Sequence, residues 1–121
     1  SFRCYAYEMI DDNNEILGGA IVEINEDNIN HLDFLFVRVG IQSKGIGQAI
    51  WKEVENSYPD TKIWKTCTPY FDKRNIHFYV NKLKFKIVQY FNKKYPDPNM
   101  SEDIYEEDDG MFEFEKDMNK S

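Results

Sequence analysis

Between Ile29 and Val54 the hydrophobic period of the chain changes once, and that change restricts the folds open to it more than any other feature. Residues 29–39 are a long apolar run in which Leu32, Phe34 and Phe36 alternate with Asp33, Leu35 and Val37. A strand apolar on both faces is expected to lie centrally in a sheet covered on both sides. Further on, Ile46, Ile50, Trp51 and Val54 recur at three- and four-residue intervals, which predicts an amphipathic helix ending near Ser57-Tyr58-Pro59. The seam between the two is GIQSKGIGQ, with glycines at 45 and 47 where the helix begins.

The flanks fit one mixed sheet. Residues 4–10 and 16–24 read as strands around the turn-rich DDNNE, a hairpin signature, and Gly18-Gly19 inside the second predicts a bulge or a close backbone approach. Residues 61–68 form the next strand, ended by Pro69, and a second helix is predicted over 73–83 with Ile76, Tyr79, Val80 and Leu83 on one stripe. Strands at 86–92 and 111–117 flank a polar loop. The predicted class is therefore α/β (α+β): a mixed, mostly antiparallel central sheet with helices on both faces, in a single domain over residues 1–121.

Charge bears on partners only after it is located. The net charge is −7, yet residues 97–117 hold ten acids against one lysine, a local −9, so the remainder sums to +2. A near-neutral body carries no dense basic patch to neutralise phosphates, which argues against nucleic acid. No apolar run approaches the roughly 20 residues of a membrane helix, so no membrane partner and a cytoplasmic location are expected. Two cysteines, Cys4 and Cys67, and two histidines are too few for a disulfide framework or a zinc cage, so no metal is expected.

A helix N-terminus leaves about four N–H groups unpaired and carries partial positive charge, so it accepts anions. Glycines there remove Cβ atoms and permit the positive φ that aims successive N–H groups at one point. Gln42, Ser43, Lys44, Gly45, Ile46 and Gly47 thus form a candidate pyrophosphate cradle, the other reading being a plain tight turn. The spacing lacks the third glycine of a dinucleotide fingerprint, and no Gly-Lys-Ser/Thr follows as in a P-loop.

Gln-x-x-Gly-x-Gly directly after Phe36-Val37-Arg38-Val39 resembles the acetyl-CoA binding motif of the GNAT N-acetyltransferase superfamily. A second block, TPYFDKRNIHFYVNKLKF at residues 68–85, is similar to that family's later helix, with Phe78-Tyr79 and Phe85 in register. The resemblance covers most of the chain, from about residue 5 to 118. Three positions depart from the pattern: Lys84 stands where the family usually has Gly, Val39 replaces a common Pro, and Asp72 replaces a frequent Asn. The strand and two helices that usually precede the equivalent of residue 4 and wall the acceptor site have no counterpart here. The expectation is a domain truncated at its N-terminal side relative to the family, or an acceptor cleft completed by another subunit.

The resemblance implies a GNAT-like acyl-CoA N-acyltransferase fold. It also implies an acetyl-CoA-dependent N-acetyltransferase that moves the acetyl group to a primary amine by direct attack in a ternary complex. Backbone groups of Val37 and Val39 would pair with the pantetheine amides, and Gln42, Ser43, Lys44, Gly45, Ile46, Gly47 and Gln48 would hold the pyrophosphate, with Arg74 and Asn75 adding contacts. Tyr79 would be the acid for the departing thiolate, the bland reading being a core residue. His31 or Asp33 would serve as base, with Glu23 a third choice and a structural role the alternative for each. Cys67 reads as a buried small hydrophobe rather than a nucleophile. The acceptor is a small-molecule or peptide amine, and the acidic run at 97–109 favours a cationic one by steering. The rival reading is a GNAT-fold module that binds acyl-CoA without transfer. Homodimerisation, common in the family, would cover the open sheet edges.

Overall fold

The computed structural model describes residues 2–40, 45–92, 94–98 and 110–119. Its elements are β1 (Phe2–Ile10), β2 (Ile16–Asn25), β3 (Ile29–Val37), α1 (Ile46–Ser57), β4 (Ile63–Pro69), α2 (Lys73–His77) running into a π-turn (Phe78–Lys82), β5 (Lys86–Asn92) and β6 (Gly110–Asp117). The strands form one sheet in the order β1-β2-β3-β4-β6-β5, and the pairs β1/β2, β2/β3 and β5/β6 are antiparallel. The chain divides into two compact units, Ser1–Trp64 with Asp117–Ser121, and Lys65–Lys116. Among the described residues no helix is long and apolar enough to cross a membrane.

In the first unit, polar turn residues set the strand register. Asp11 closes the β1/β2 turn by accepting the backbone N–H groups of Asn13 and Glu15 at 2.8 and 3.0 Å, while Asn14 takes φ 63°. Asn28 does the same at φ 64° between β2 and β3, a conformation asparagine tolerates better than most side chains. Helix α1 buries Ile50, Trp51 and Val54 of the predicted stripe, together with Gly47, while Ile46 is half-buried, and Pro59 follows just beyond its end. Trp51 meets Trp64 edge-on at 4.9 Å between ring centroids, and Ala20, Val22 and Leu32 complete this core. The close approach expected at Gly18 is present: a Cβ there would lie 2.5 Å from the Phe36 carbonyl oxygen and 2.8 Å from Ile50 Cδ1.

The third strand departs from strict alternation at one residue. The β2/β3 register shifts between Ile21 and Val22, which oppose Phe34 and Leu32, so Asp33 is an extra residue in a β-bulge. Alternation breaks there. Leu35 and Val37 oppose Ala20 and Gly18 on the side that packs against Ile50. His31 instead opposes Glu23 on the other face, and Asp33 joins it, so Asp33 does not share the face of Leu35 and Val37 that strict alternation predicts, nor does His31. Among the described residues, Phe34 and Phe36 of this strand stack at 5.7 Å while remaining 53% and 37% exposed. The strand also stops at Val37, two residues short of its predicted end, and Val39 stands exposed in the turn that follows.

In the second unit, β4 alternates strictly, with Thr66 and Thr68 buried. The predicted helix 73–83 is α-helical only to His77 and then widens, with Leu83 N–H donating to the Phe78 carbonyl at 3.0 Å. A π-turn of this kind is rare and is found mostly at functional sites. Tyr79 and Leu83 are buried by it, against Phe85 and Phe114.

Candidate active site

The first unit holds the anion-receptive part. Gly45 is the N-cap of α1 in the left-handed conformation, φ 73° and ψ 15°, and Gly40 ahead of it has φ 97°. As a glycine, the N-cap offers no side chain to cap the helix start, and the first turn carries no acidic residue. Among the described residues a Cβ at Gly45 would meet nothing within 4 Å. The first N–H groups of α1 have no partner within the helix and sit at the positive end of its dipole. Ile46 is half-buried, Gly47 is buried and Gln48 is exposed. Gln42, Ser43 and Lys44 lie outside the described residues, and Val37 closes β3 on the strand side of the turn.

Farther along the same unit, the bulge gathers titratable groups. His31 Nε2 lies 4.0 Å from Glu23 Oε2, and the donor atoms of Cys4, Glu23 and Asp33 lie within 4.8 Å of one another. Burial, and then the Glu23 carboxylate, push the Asp33 pKa up, while His31 opposes the rise. A carboxylate made more basic in this way is a better proton acceptor. Cys4 was not legible as a neighbour of this group from its place in the chain. The hairpin register, which pairs it with Glu23, is the signal that finds it.

The second unit holds Tyr79, only 7% exposed, with its ring 5.5 Å from Phe114 and 6.0 Å from Phe85. Burial raises its pKa; a hydrogen bond with Thr66 lowers it, and Asp72 and Cys67 add to the rise. The phenol thus stays protonated at neutral pH, as a proton donor must. Thr66 is the partner that motif reasoning missed. Asp72 caps α2: its carboxylate accepts the Asn75 backbone N–H at 3.1 Å and the Asn75 side-chain amide at 2.9 Å. The Asn75 amide is therefore engaged within its own turn, while Arg74 is exposed on that turn. Burial, then Glu113 and Asp97, push the Cys67 thiol up to about 11, which leaves it without the thiolate character of a nucleophile.

Likeness to solved structures gives the class first. The fold matches an acetyltransferase from Bacillus cereus ATCC 14579 at a TM-score of 0.70, with 15% identity, covering 96% of this chain and 74% of that one. It matches the ribosomal-protein-S18-alanine N-acetyltransferase of Escherichia coli at 0.74, with 12% identity, covering 98% and 72%. A Bacillus anthracis str. Ames protein solved in complex with acetyl coenzyme A matches at 0.74, with 16% identity, covering 93% and 61%. The fold is that of the acyl-CoA N-acyltransferases. Residues 2–85 match the Acetyltransferase (GNAT) family, and the chain belongs to that family. It is also 44% identical to the uncharacterized protein YrkN of Bacillus subtilis (strain 168) over 94% of this chain, and it spans 65% of that relative's length.

Proposed function

We propose that the protein is an N-acetyltransferase that carries the acetyl group of acetyl-CoA to a primary amine by direct attack. The observation that carries this reading is the left-handed Gly45 opening α1, in the Gln-x-x-Gly-x-Gly stretch that resembles the family's cofactor motif. Acetyl-CoA, when bound, supplies the activated acetyl group. The N–H groups of Gly45, Ile46, Gly47 and Gln48, with Gln42, Ser43 and Lys44, hold its pyrophosphate, and the backbone of Val37 and Val39 receives the pantetheine arm. Arg74 adds positive charge, whereas Asn75 has both its backbone N–H and its side-chain amide held by Asp72, so it shapes the turn that carries Arg74.

Asp33, made more basic by burial and by Glu23, or His31 beside it, takes the proton from the acceptor ammonium. Tyr79, kept protonated by burial, gives its proton to the departing thiolate. The acceptor is a small-molecule or peptide amine, and a cationic one suits the acidic residues at 97–109.

Calorimetric titration of acetyl-CoA into the protein, beside a Gly45→Glu variant, tests the cradle. Glu places a carboxylate where phosphate oxygens would lie, so affinity should fall by more than about tenfold in a variant whose circular dichroism is unchanged. Equal affinity in the two proteins removes Gly45 from the site. Binding without turnover across a panel of amines would favour a non-catalytic acyl-CoA sensor.

A further inference from the structure

We infer a second site, for a divalent transition metal of the zinc class, on the open face of the first unit at Cys4, Glu23 and Asp33, with His31 as a fourth donor. Three adjacent strands bring these residues together: Cys4 of β1 opposes Glu23 of β2, Glu23 opposes His31 of β3, and the bulge turns Asp33 onto the same face. One sulfur and one oxygen from each carboxylate lie within 4.8 Å of one another, and His31 Nε2 is 4.0 Å from Glu23 Oε2. Around zinc, with bonds of about 2.0–2.3 Å, ligand atoms sit about 3.3–3.8 Å apart. For Cys4, Glu23 and Asp33 the contraction needed is about 1 Å, within reach of rotation of the exposed Cys4 and Asp33 side chains, and His31, which lies outside that group, has to turn toward it.

The donor set narrows the metal. A thiolate and an imidazole beside two carboxylates suit Zn²⁺ or Co²⁺, whereas an all-oxygen set would suit Mg²⁺ or Ca²⁺. Glu23 is already oriented from outside the cluster. The Asn25 amide donates to its Oε2 at 3.1 Å and is itself anchored on the Ile29 carbonyl at 2.8 Å, the kind of outer hydrogen bond that aims metal ligands. Counting cysteines and histidines along the chain argued against a metal because it ignored register, which joins residues 29 positions apart. On binding, the Cys4 thiol loses its proton to solvent and its sulfur lone pair forms the metal bond, with no change of oxidation state. His31 and Asp33 are also the proton acceptors of the proposed transfer, so an ion held here would withdraw both and inhibit it. That consequence rests on the proposed function; the binding does not.

Cobalt titration of the reduced, chelator-stripped protein tests the site without reference to acetyl-CoA. Stoichiometric Co²⁺ should produce a thiolate-to-cobalt charge-transfer band together with the visible bands of four-coordinate cobalt. Cys4→Ser should abolish the charge-transfer band, Glu23→Gln and Asp33→Asn should each weaken binding by about tenfold or more, and Cys67→Ser should leave it intact. Alkylation of Cys4 by iodoacetamide in the unsubstituted protein, followed by peptide mass spectrometry, should slow by about tenfold with Zn²⁺ present. Absence of the band, its survival in Cys4→Ser, or alkylation of Cys4 at the same rate with and without Zn²⁺ would overturn the assignment.

Discussion

The Tyr79 hydroxyl is hydrogen-bonded to Thr66, and its buried ring packs against Phe85 and Phe114, so the phenol is held at one point. Tyr79→Phe keeps the ring and its packing and removes the hydroxyl, with its proton and its bond to Thr66. In the proposed transfer kcat should fall by about 10²–10⁴-fold, with acetyl-CoA affinity and melting temperature nearly unchanged. Because burial raises the Tyr79 pKa above 10.0, the acid stays competent through the neutral range, and its alkaline limb lies above pH 10. The sign for stability is the same. A raised folded-state value contributes stability that is complete below the unfolded value and lost as pH rises through the folded one, so unfolding free energy should decline from pH 10 upward. A kcat for Tyr79→Phe within twofold of the parent would remove it as the acid.

Much of this was legible before any coordinates, and the exceptions share a cause. Helix α1 followed from spacing because Ile50, Trp51 and Val54 obey an unbroken period of 3.6, and the positive φ of Gly45 followed from the glycine at its start. The bulge at Asp33 was not legible, since reading residues 29–39 as one strand assumes an unbroken period of two. Partners distant in sequence were equally hidden: Cys4 for Glu23, and Thr66 for Tyr79. The widening after His77 leaves no mark that a stripe of Ile76, Tyr79 and Leu83 would reveal.

Gly18 tests the packing of α1 on the sheet. A methyl group there would press 2.5 Å from a backbone oxygen and 2.8 Å from Ile50 Cδ1, and the backbone cannot swing aside as a side chain can. Gly18→Ala should therefore destabilise the protein by about 1–3 kcal/mol in urea unfolding. Adding Ile50→Val should recover part of that loss. If the double variant is no better than the single one, the strain lies wholly against the Phe36 carbonyl.

Asn30 is 1% exposed and joins three elements. Its Oδ1 accepts the Asn25 backbone N–H at 2.8 Å, and its amide donates to Thr61 Oγ1 at 2.8 Å, whose hydroxyl in turn donates to the Tyr58 carbonyl at 2.8 Å. Asn30→Ala leaves a backbone donor and a hydroxyl acceptor unpaired, which should cost about 1–3 kcal/mol. Because Asn30 and Thr61 share a bond, the loss in Asn30→Ala/Thr61→Val should be smaller than the sum of the single losses. Strict additivity in a double-mutant cycle would contradict the network.

Lys84 takes φ 68° at the end of the π-turn, a left-handed conformation that costs a residue with a Cβ about 1–2 kcal/mol. Its position is set by the chain around it: Phe85 N–H donates to the Tyr79 carbonyl at 2.8 Å, and the Lys84 ammonium donates to the Asn81 carbonyl at 2.8 Å. The second bond is exposed and recovers only part of the conformational cost. Lys84→Gly relieves the strain but widens the unfolded ensemble, so the net gain should be about 0.5–1 kcal/mol, seen as a higher denaturation midpoint with an unchanged slope. Lys84→Ala keeps the strain and drops the ammonium contact, so it should lie below the parent. If Gly and Ala shift the midpoint equally, the left-handed turn at Lys84 carries no strain and the hydrogen bond alone sets its energy.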